Sequence, residues 1–263
     1  MHRLLESPRS ALLAVAALVL LGGLPRPAHA FPVTLGLRGG STIPNLHAGD
    51  DNPISNGWSS RLAPTFGLTV EIPFTSSWSL ETGLDYAPQG AQRNGMQPVP
   101  GDYSALGLPP GTVLYANYDN LEVLDYLEVP LLARLRFGAA HLFFVEAGPF
   151  AGFLLSSRNQ TRGTSSLYYD AGGTQPVEYM PGVPVPPLNF NSDTDTRGDV
   201  HPFNWGVQAG LGVTRSLGPG AIELEARGGY GLAVVQRDTG ANGTNNTGNL
   251  VITIGYAIPL VRR

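Results

Sequence analysis

From Asp125 to Ser156 the chain alternates between apolar and polar positions. Leu127, Val129, Leu131, Ala133, Leu135 and Phe137 share one side of a two-residue register, and Glu128, Arg134 and Arg136 share the other. That period belongs to a strand; a helix would set Leu131 and Leu135 on the side of Glu128. After Gly138-Ala-Ala140 the alternation resumes, with His141, Phe143, Val145, Ala147, Ala151, Phe153 and Leu155 opposed to Glu146. A three-residue turn pairing 137 with 141 puts Glu146 diagonal to Arg134, within reach of long side chains. Leu142, Phe144, Phe150 and Leu154 fall on the polar side and are expected to fill an interior.

The same period recurs along the chain. It predicts strands over Val33–Ser41, Thr65–Phe74, Trp78–Ala87, Phe203–Leu217 and Ala221–Leu232, and a last one in which Leu250, Ile252, Ile254, Tyr256, Ile258 and Leu260 alternate with polar or small residues. With the pair in Asp125–Ser156 that makes eight. Between them, Thr42–Arg61, Pro88–Asn120, Ser157–Val200 and Gln236–Gly248 are rich in Gly, Pro, Asn, Asp and Ser and read as loops. The other three connections are short and centre on residues 76, 139 and 219. Strict long–short alternation with an even strand number predicts an all-β, eight-stranded antiparallel up-and-down transmembrane β-barrel. Its long loops face outward, and its short turns and both termini face the periplasm. Strands of about ten residues suffice when tilted about 45°.

The N-terminal end supports export. Arg3 and Arg9 precede the fourteen-residue apolar run Ala11–Leu24, and Ala28-His29-Ala30 forms a small-x-small site. Residues 1–30 therefore read as a signal peptide cut before Phe31, leaving 31–263 as one barrel domain. The run is too short to be a spanning helix, which needs about 20 residues. The chain has no cysteine, so disulfides and thiolate metal sites are excluded. All sixteen basic residues are arginine, and the net charge of −4 becomes −6 once Arg3, Arg9, Arg26 and Glu6 leave. No basic patch is offered to phosphate, which argues against nucleic acid as a partner.

Alternation alone does not say which face meets water, and a soluble lipocalin-like ligand-binding barrel would show it too. Only 14% of residues are charged, against about 25% in soluble domains. The polar face holds one or two charges per strand among Gly, Ser, Thr and Asn, and it mixes Glu71, Glu81 and Asp85 with Arg38. Such a set suits the narrow interior of an eight-stranded barrel, where Glu128, Arg134, Arg136, Glu146, Glu223, Glu225 and Arg227 are expected to form a structural charge network. On the apolar face Phe74, Trp78, Phe137 and Tyr256 lie near the short turns, and Tyr86, Phe153, Phe203 and Tyr230 toward the long loops. Two aromatic girdles around an aliphatic band favour a lipid-facing exterior. Pro130 and Pro149 interrupt two strands, so a bulge or local widening is expected beside them.

The segments Tyr126-Leu-Glu-Val-Pro-Leu-Leu132 and Glu146-Ala-Gly-Pro-Phe-Ala-Gly-Phe-Leu154 resemble the eight-stranded outer-membrane domain family often called PorT-like, as do Leu35–Ser41 and Glu71–Leu80. The likeness covers the mature chain and is carried by structural motifs. It implies the barrel fold and the outer membrane, with outer-membrane lipid as the surrounding medium. Thr253-Ile-Gly-Tyr-Ala-Ile-Pro-Leu260 resembles the C-terminal signal read by the barrel-assembly machinery, although Val261-Arg262-Arg263 replaces a terminal aromatic.

Chemistry is sparse. His47, His141 and His201 follow the signal segment, and none belongs to a metal-ligand pair or catalytic motif. A rim hydrolase built on His47 with Asp50 and Asp51, or on His201, is the minor alternative. Asn191–Gly198 imitates a calcium loop, but Arg197 stands at a ligand position and the distal Glu is missing. No catalytic residue, cofactor site or metal site is expected. A conducting pore is disfavoured by the bulky interior side chains. The expected role is structural, accessory or loop-mediated binding in the envelope, with the specific partner open.

Overall fold

The structure, a computed structural model, describes residues 32–101, 103–104, 107–139 and 142–260. The expected signal segment and its cleavage point, His141, and the Val261-Arg262-Arg263 ending lie outside the described residues. The principal strands are β1 (Thr34–Ala48), β2 (Ala63–Pro73), β3 (Trp78–Val99), β4 (Leu114–Phe137) and β5 (Phe143–Arg162). Short pieces follow: β6 (Thr164–Ser165), β7 (Glu178–Met180), β8 (Val183–Pro184), β9 (Leu188–Asn189) and β10 (Ser192–Asp195). The wall resumes with β11 (Phe203–Leu217), β12 (Gly220–Gly231) and β13 (Asn245–Pro259).

Among the described residues eight strands, β1 to β5 and β11 to β13, each pair antiparallel with the next, and β13 returns to β1 from Thr34↔Pro259 to Ala48↔Asn245. Closure leaves no free edge among the described strands, which hydrocarbon demands of a spanning sheet. Connections run through residues 49–62, 74–77, 100–113, 138–142, 163–202, 218–219 and 232–244, long and short in strict alternation.

The exterior is apolar. Leu37 is 65% exposed, Leu211 63% and Ile254 60%, and Leu68, Val207, Leu224 and Ile252 are exposed beside them. In water such a surface would be an aggregation patch; in lipid it carries no penalty. Phe74, Trp78 and Phe137 stand on this face near the short turns. Phe66 stacks on Tyr86 at 5.0 Å, and Phe153 meets Phe203 at 5.5 Å, toward the loops.

Three features depart from the sequence expectation. First, the turn after β4 is longer: Phe137 pairs with Phe143, so Arg134 lies directly opposite Glu146 rather than diagonal to it. Leu142 then falls in the turn and is 38% exposed, not an interior filler. Second, the prolines interrupt the ladder as expected, but the bulge itself lies elsewhere. The β4–β5 register shifts at Asp125/Tyr126, where Leu155 is the extra residue. Around Pro130 and Pro149 the ladder skips from Pro130↔Phe150 to Ala133↔Ala147 with no change of register, because neither proline can donate. Thr82 Oγ1 donates to the Pro130 carbonyl at 2.8 Å there.

Third, much of what reads as loop is strand. β1 runs on to Ala48, β3 to Val99 and β5 to Arg162, while β4 begins at Leu114 and β13 at Asn245. β3, β4 and β5 have 22, 24 and 20 residues, about twice the length needed to cross a bilayer. One side of the wall therefore continues beyond the membrane. Gly90, with φ +99°, permits this by lying so close to the Glu122 carbonyl that no side chain would fit.

Candidate functional site

Among the described residues, charged side chains and then apolar ones occupy the lumen from the short turns upward. Nearest the short turns, Arg136 donates to both oxygens of Glu71 at 2.5 and 2.7 Å and to Glu223 at 2.9 Å. The next charge along β4 is Arg134, fully buried. Its Nε donates to Glu146 at 2.8 Å and its Nη1 to Glu223 at 3.1 Å; Glu81 is a third partner, and the guanidinium lies 4.1 Å over the Phe144 ring. Arg38 grips Asp85 with two nitrogens, at 2.9 and 2.5 Å, and reaches Glu81 at 2.8 Å and Glu225 at 3.2 Å. Arg227 completes the set with Asp85 at 3.2 Å and Glu225 at 3.3 Å.

Six of the seven network residues expected from the sequence are thus brought together: Arg134, Arg136, Glu146, Glu223, Glu225 and Arg227. Glu128 stands apart from direct ion pairs and accepts hydrogen bonds from Gln89 at 3.1 Å and Gln208 at 2.8 Å. Arg38, Glu71, Glu81 and Asp85 carry as much of the geometry, although the expected core of the network omits them. Their place on the polar face of β1, β2 and β3 was readable. What was missing was the cross-barrel register that makes Arg38 and Arg134 the hubs.

Above Glu128 the lumen turns apolar. Leu46, Ala91, Leu124, Tyr126, Val200 and Val235 form an apolar plug with Trp58 and Leu154 packed on it. Asp125 projects from the outer face of the wall beside Tyr86 and marks the upper edge of the lipid band. Beyond that edge Glu122 turns inward and accepts from Asn159 Nδ2 at 2.8 Å and Thr196 Oγ1 at 3.3 Å. The bulge at Leu155 swaps the faces of β5, which is why Ser157 and Asn159 point inward where even-numbered residues do so below it. Burial, with too little compensation, pushes the Glu122 carboxyl up to about 7.

Higher still lies a second core, of Leu114, Ala116, Tyr118, Leu167 and Val177, with Val99, Tyr103, Leu108, Val185 and Phe190 against it. The long loop after β5 folds over the β3–β4 extension through β6–β9 and β7–β8 pairings, and β10 returns along β5. Tyr115 and Tyr168 exchange backbone hydrogen bonds at 2.8 and 2.9 Å. Burial raises the Tyr118 hydroxyl to about 12, consistent with its place in this outer lobe. Between lobe and wall lies an open cleft of about 580 Å³ lined by Met96, Asn117, Tyr118, Asp119, Arg162 and Tyr168 among others.

The histidines are scattered. His47 lies on the outside of β1 against Tyr230, ring centroids 5.8 Å apart, while Asp50 is engaged by Ser55, Asn52 and Thr244. His201 is exposed at the start of β11 and its backbone N–H donates to Val235. Asp195 pairs with Arg197 at 2.6 Å, so the calcium-like stretch neutralises its own carboxylate.

The chain matches the family model described as outer membrane protein beta-barrel domain over residues 29–235. No match was found among curated proteins. Solved structures similar to it include Ail, the attachment invasion locus protein of Yersinia pestis, at 9% identity, covering 86% of this chain and 99% of that one with a TM-score of 0.32. OprG from Pseudomonas aeruginosa is 14% identical over 88% and 98% of the two chains, TM-score 0.35. The outer membrane protease OmpT from Escherichia coli is 10% identical over 90% and 99%, TM-score 0.34.

Proposed function

This chain belongs to the outer membrane protein β-barrel domain family, and from that premise we propose a non-catalytic role exercised through its outer lobe, as a loop-mediated binding or accessory component of the envelope. The observation that carries this reading is the contrast between a solid lumen and an elaborated exterior. Arg134, Leu132, Tyr126 and Leu124 are at most 1% exposed inside the barrel, which supports a lumen closed to solutes. Meanwhile three strands continue past the lipid band to carry a lobe with its own core. A wall that merely anchored itself would not need them.

The orientation is part of the proposal: short turns and both termini in the periplasm, outer lobe at the surface. So is export through a cleaved signal peptide at residues 1–30. The resemblance of Tyr126–Leu132 and Glu146–Leu154 to PorT-like domains narrows the family reading and belongs to the same proposal. A non-catalytic role is the reading favoured because His47 packs its ring against Tyr230 and His201 is held through its backbone at the start of β11.

The test is reconstitution. Purified protein should require detergent for extraction, shift on a gel when heated and give no steady unitary conductance in a planar bilayer. Release by carbonate washing, or an ohmic channel of constant size, would overturn the reading.

A further inference from the structure

We propose that the cleft of the outer lobe binds a neutral saccharide, an inference that rests on the outer lobe being the acting part. The cleft is built and held before any ligand arrives. The strand segment Asn117–Asp119 forms one wall. Tyr118, 5% exposed, anchors it from behind, its ring stacked on Phe190 at 4.6 Å and 7° in the core and its hydroxyl donating to the Pro98 carbonyl at 3.2 Å, so Asn117 and Asp119 lie on the opposite face. One side is fixed by the Asn117 N–H donating to Ser165 Oγ at 2.9 Å, the other by the Gly163 N–H donating to Asn191 Oδ1 at 2.9 Å. Gly163, at φ +133°, makes the sharp departure from β5 that opens the space.

The groups left free in this frame have a definite chemistry. Asp119 and Arg162 are direct partners across β4 and β5, about 5 Å apart at Cβ, yet they form no ion pair. Arg162 spends Nη1 on the carbonyls of Thr161 and Ser192, at 2.7 and 2.5 Å, which fixes the guanidinium plane and leaves Nε and Nη2 for a guest. The Asp119 carboxylate, the Asn117 amide and the Tyr168 hydroxyl have no partner among the described residues. The cleft thus offers an acceptor-only group, a planar donor and an amide that does both, at zero net charge.

Adjacent hydroxyls of a sugar ring each donate and accept, and a carboxylate, an amide and a guanidinium meet them two at a time. Met96 and the Tyr168 ring add apolar surface for the C–H face of the ring. An anionic guest would meet Asp119 and a cationic one Arg162. A large apolar guest would bury both charges unpaired. A volume of about 580 Å³ lies within the range of small-molecule sites.

The experiment uses the full folded barrel in a sugar-free detergent, with maltotriose, cellotriose, chitotriose and the zwitterion glycylglycine as probes, read by saturation-transfer NMR and calorimetry. At least one trisaccharide should bind with a Kd of about a millimolar or tighter, and Asp119→Asn and Tyr168→Ala should each weaken it about tenfold. Both variants should keep the heat-dependent gel shift. No trisaccharide binding at about ten times that concentration, binding indifferent to both substitutions, or binding of glycylglycine alone would each overturn the proposal. Those results would leave the non-conducting, lobe-bearing barrel standing, because its test is extraction and conductance.

Discussion

At the scale of single residues the lumen is unbalanced. Four guanidiniums, of Arg38, Arg134, Arg136 and Arg227, face seven carboxylates, of Glu71, Glu81, Asp85, Glu128, Glu146, Glu223 and Glu225. The arginines are therefore the scarce species, and the two members of the Arg134–Glu146 pair are not equivalent. Removing Glu146 leaves Arg134 with Glu81 and Glu223, so Glu146→Ala should destabilise by about 1–3 kcal/mol, the cost of a lost buried hydrogen bond and a small void. Arg134→Met keeps most of the volume but leaves several carboxylates facing one another, and should cost about 3–5 kcal/mol or block folding. Urea unfolding of both variants in micelles decides it. Equal losses would mean that Arg134 has no special place in the network.

At the scale of elements, legibility follows the solvent. Below Asp125 one face must be aliphatic because lipid covers it, so the two-residue period is clean and Phe203–Leu217 is read with the bounds it has. Above that edge neither face meets hydrocarbon. Pro88–Val99 and Leu114–Asn120 lose their alternation and read as loop although they are paired strand. The candidate cleft is hidden for the same reason: Asn117 and Asp119 sit in that stretch, and only β pairing brings them to Arg162. The bulge at Leu155 left no mark in composition either, yet it turns Asn159 toward Glu122. This joint has a measurable pH signature. Glu122 titrates near 7 when folded against 4.5 as its ordinary value, so the folded state holds an extra proton between those limits. Its favourable neutral form is complete below about pH 4.5, is lost as pH rises to about 7, and nothing more is lost above. Wild type should therefore lose on the order of 2 kcal/mol of outer-lobe stability from pH 5 to pH 8, discounted for partial exposure. Glu122→Gln, neutral throughout, should flatten that dependence and melt higher at pH 8. Parallel melting curves for the two proteins across this range would contradict the assignment.

At the scale of the whole molecule, two cores are stacked on one wall and held by different physics. The lower one is an ion-pair network capped by an apolar plug inside a lipid-bounded ring; the upper one is an ordinary apolar core wrapped by residues 163–191. The ends of that wrapping segment lie together, since Thr161 pairs with Ser192 and Arg162 donates to the Ser192 carbonyl. A two-residue Asn-Gly turn could therefore join Thr161 to Ser192 and make β5 and β10 a plain hairpin. Excision removes Leu167, Val177 and Phe190 from the upper core but touches no residue of the lumen network. The shortened protein should still insert, still shift on a gel when heated and retain its main thermal transition within a few degrees. The uncovered Leu114, Ala116 and Tyr118 should make the remaining β3–β4 extension sensitive to protease, and saccharide binding should vanish with Tyr168. If the excised chain instead fails to form the barrel, the two cores fold as one cooperative unit, and the outer lobe is part of what holds the wall closed.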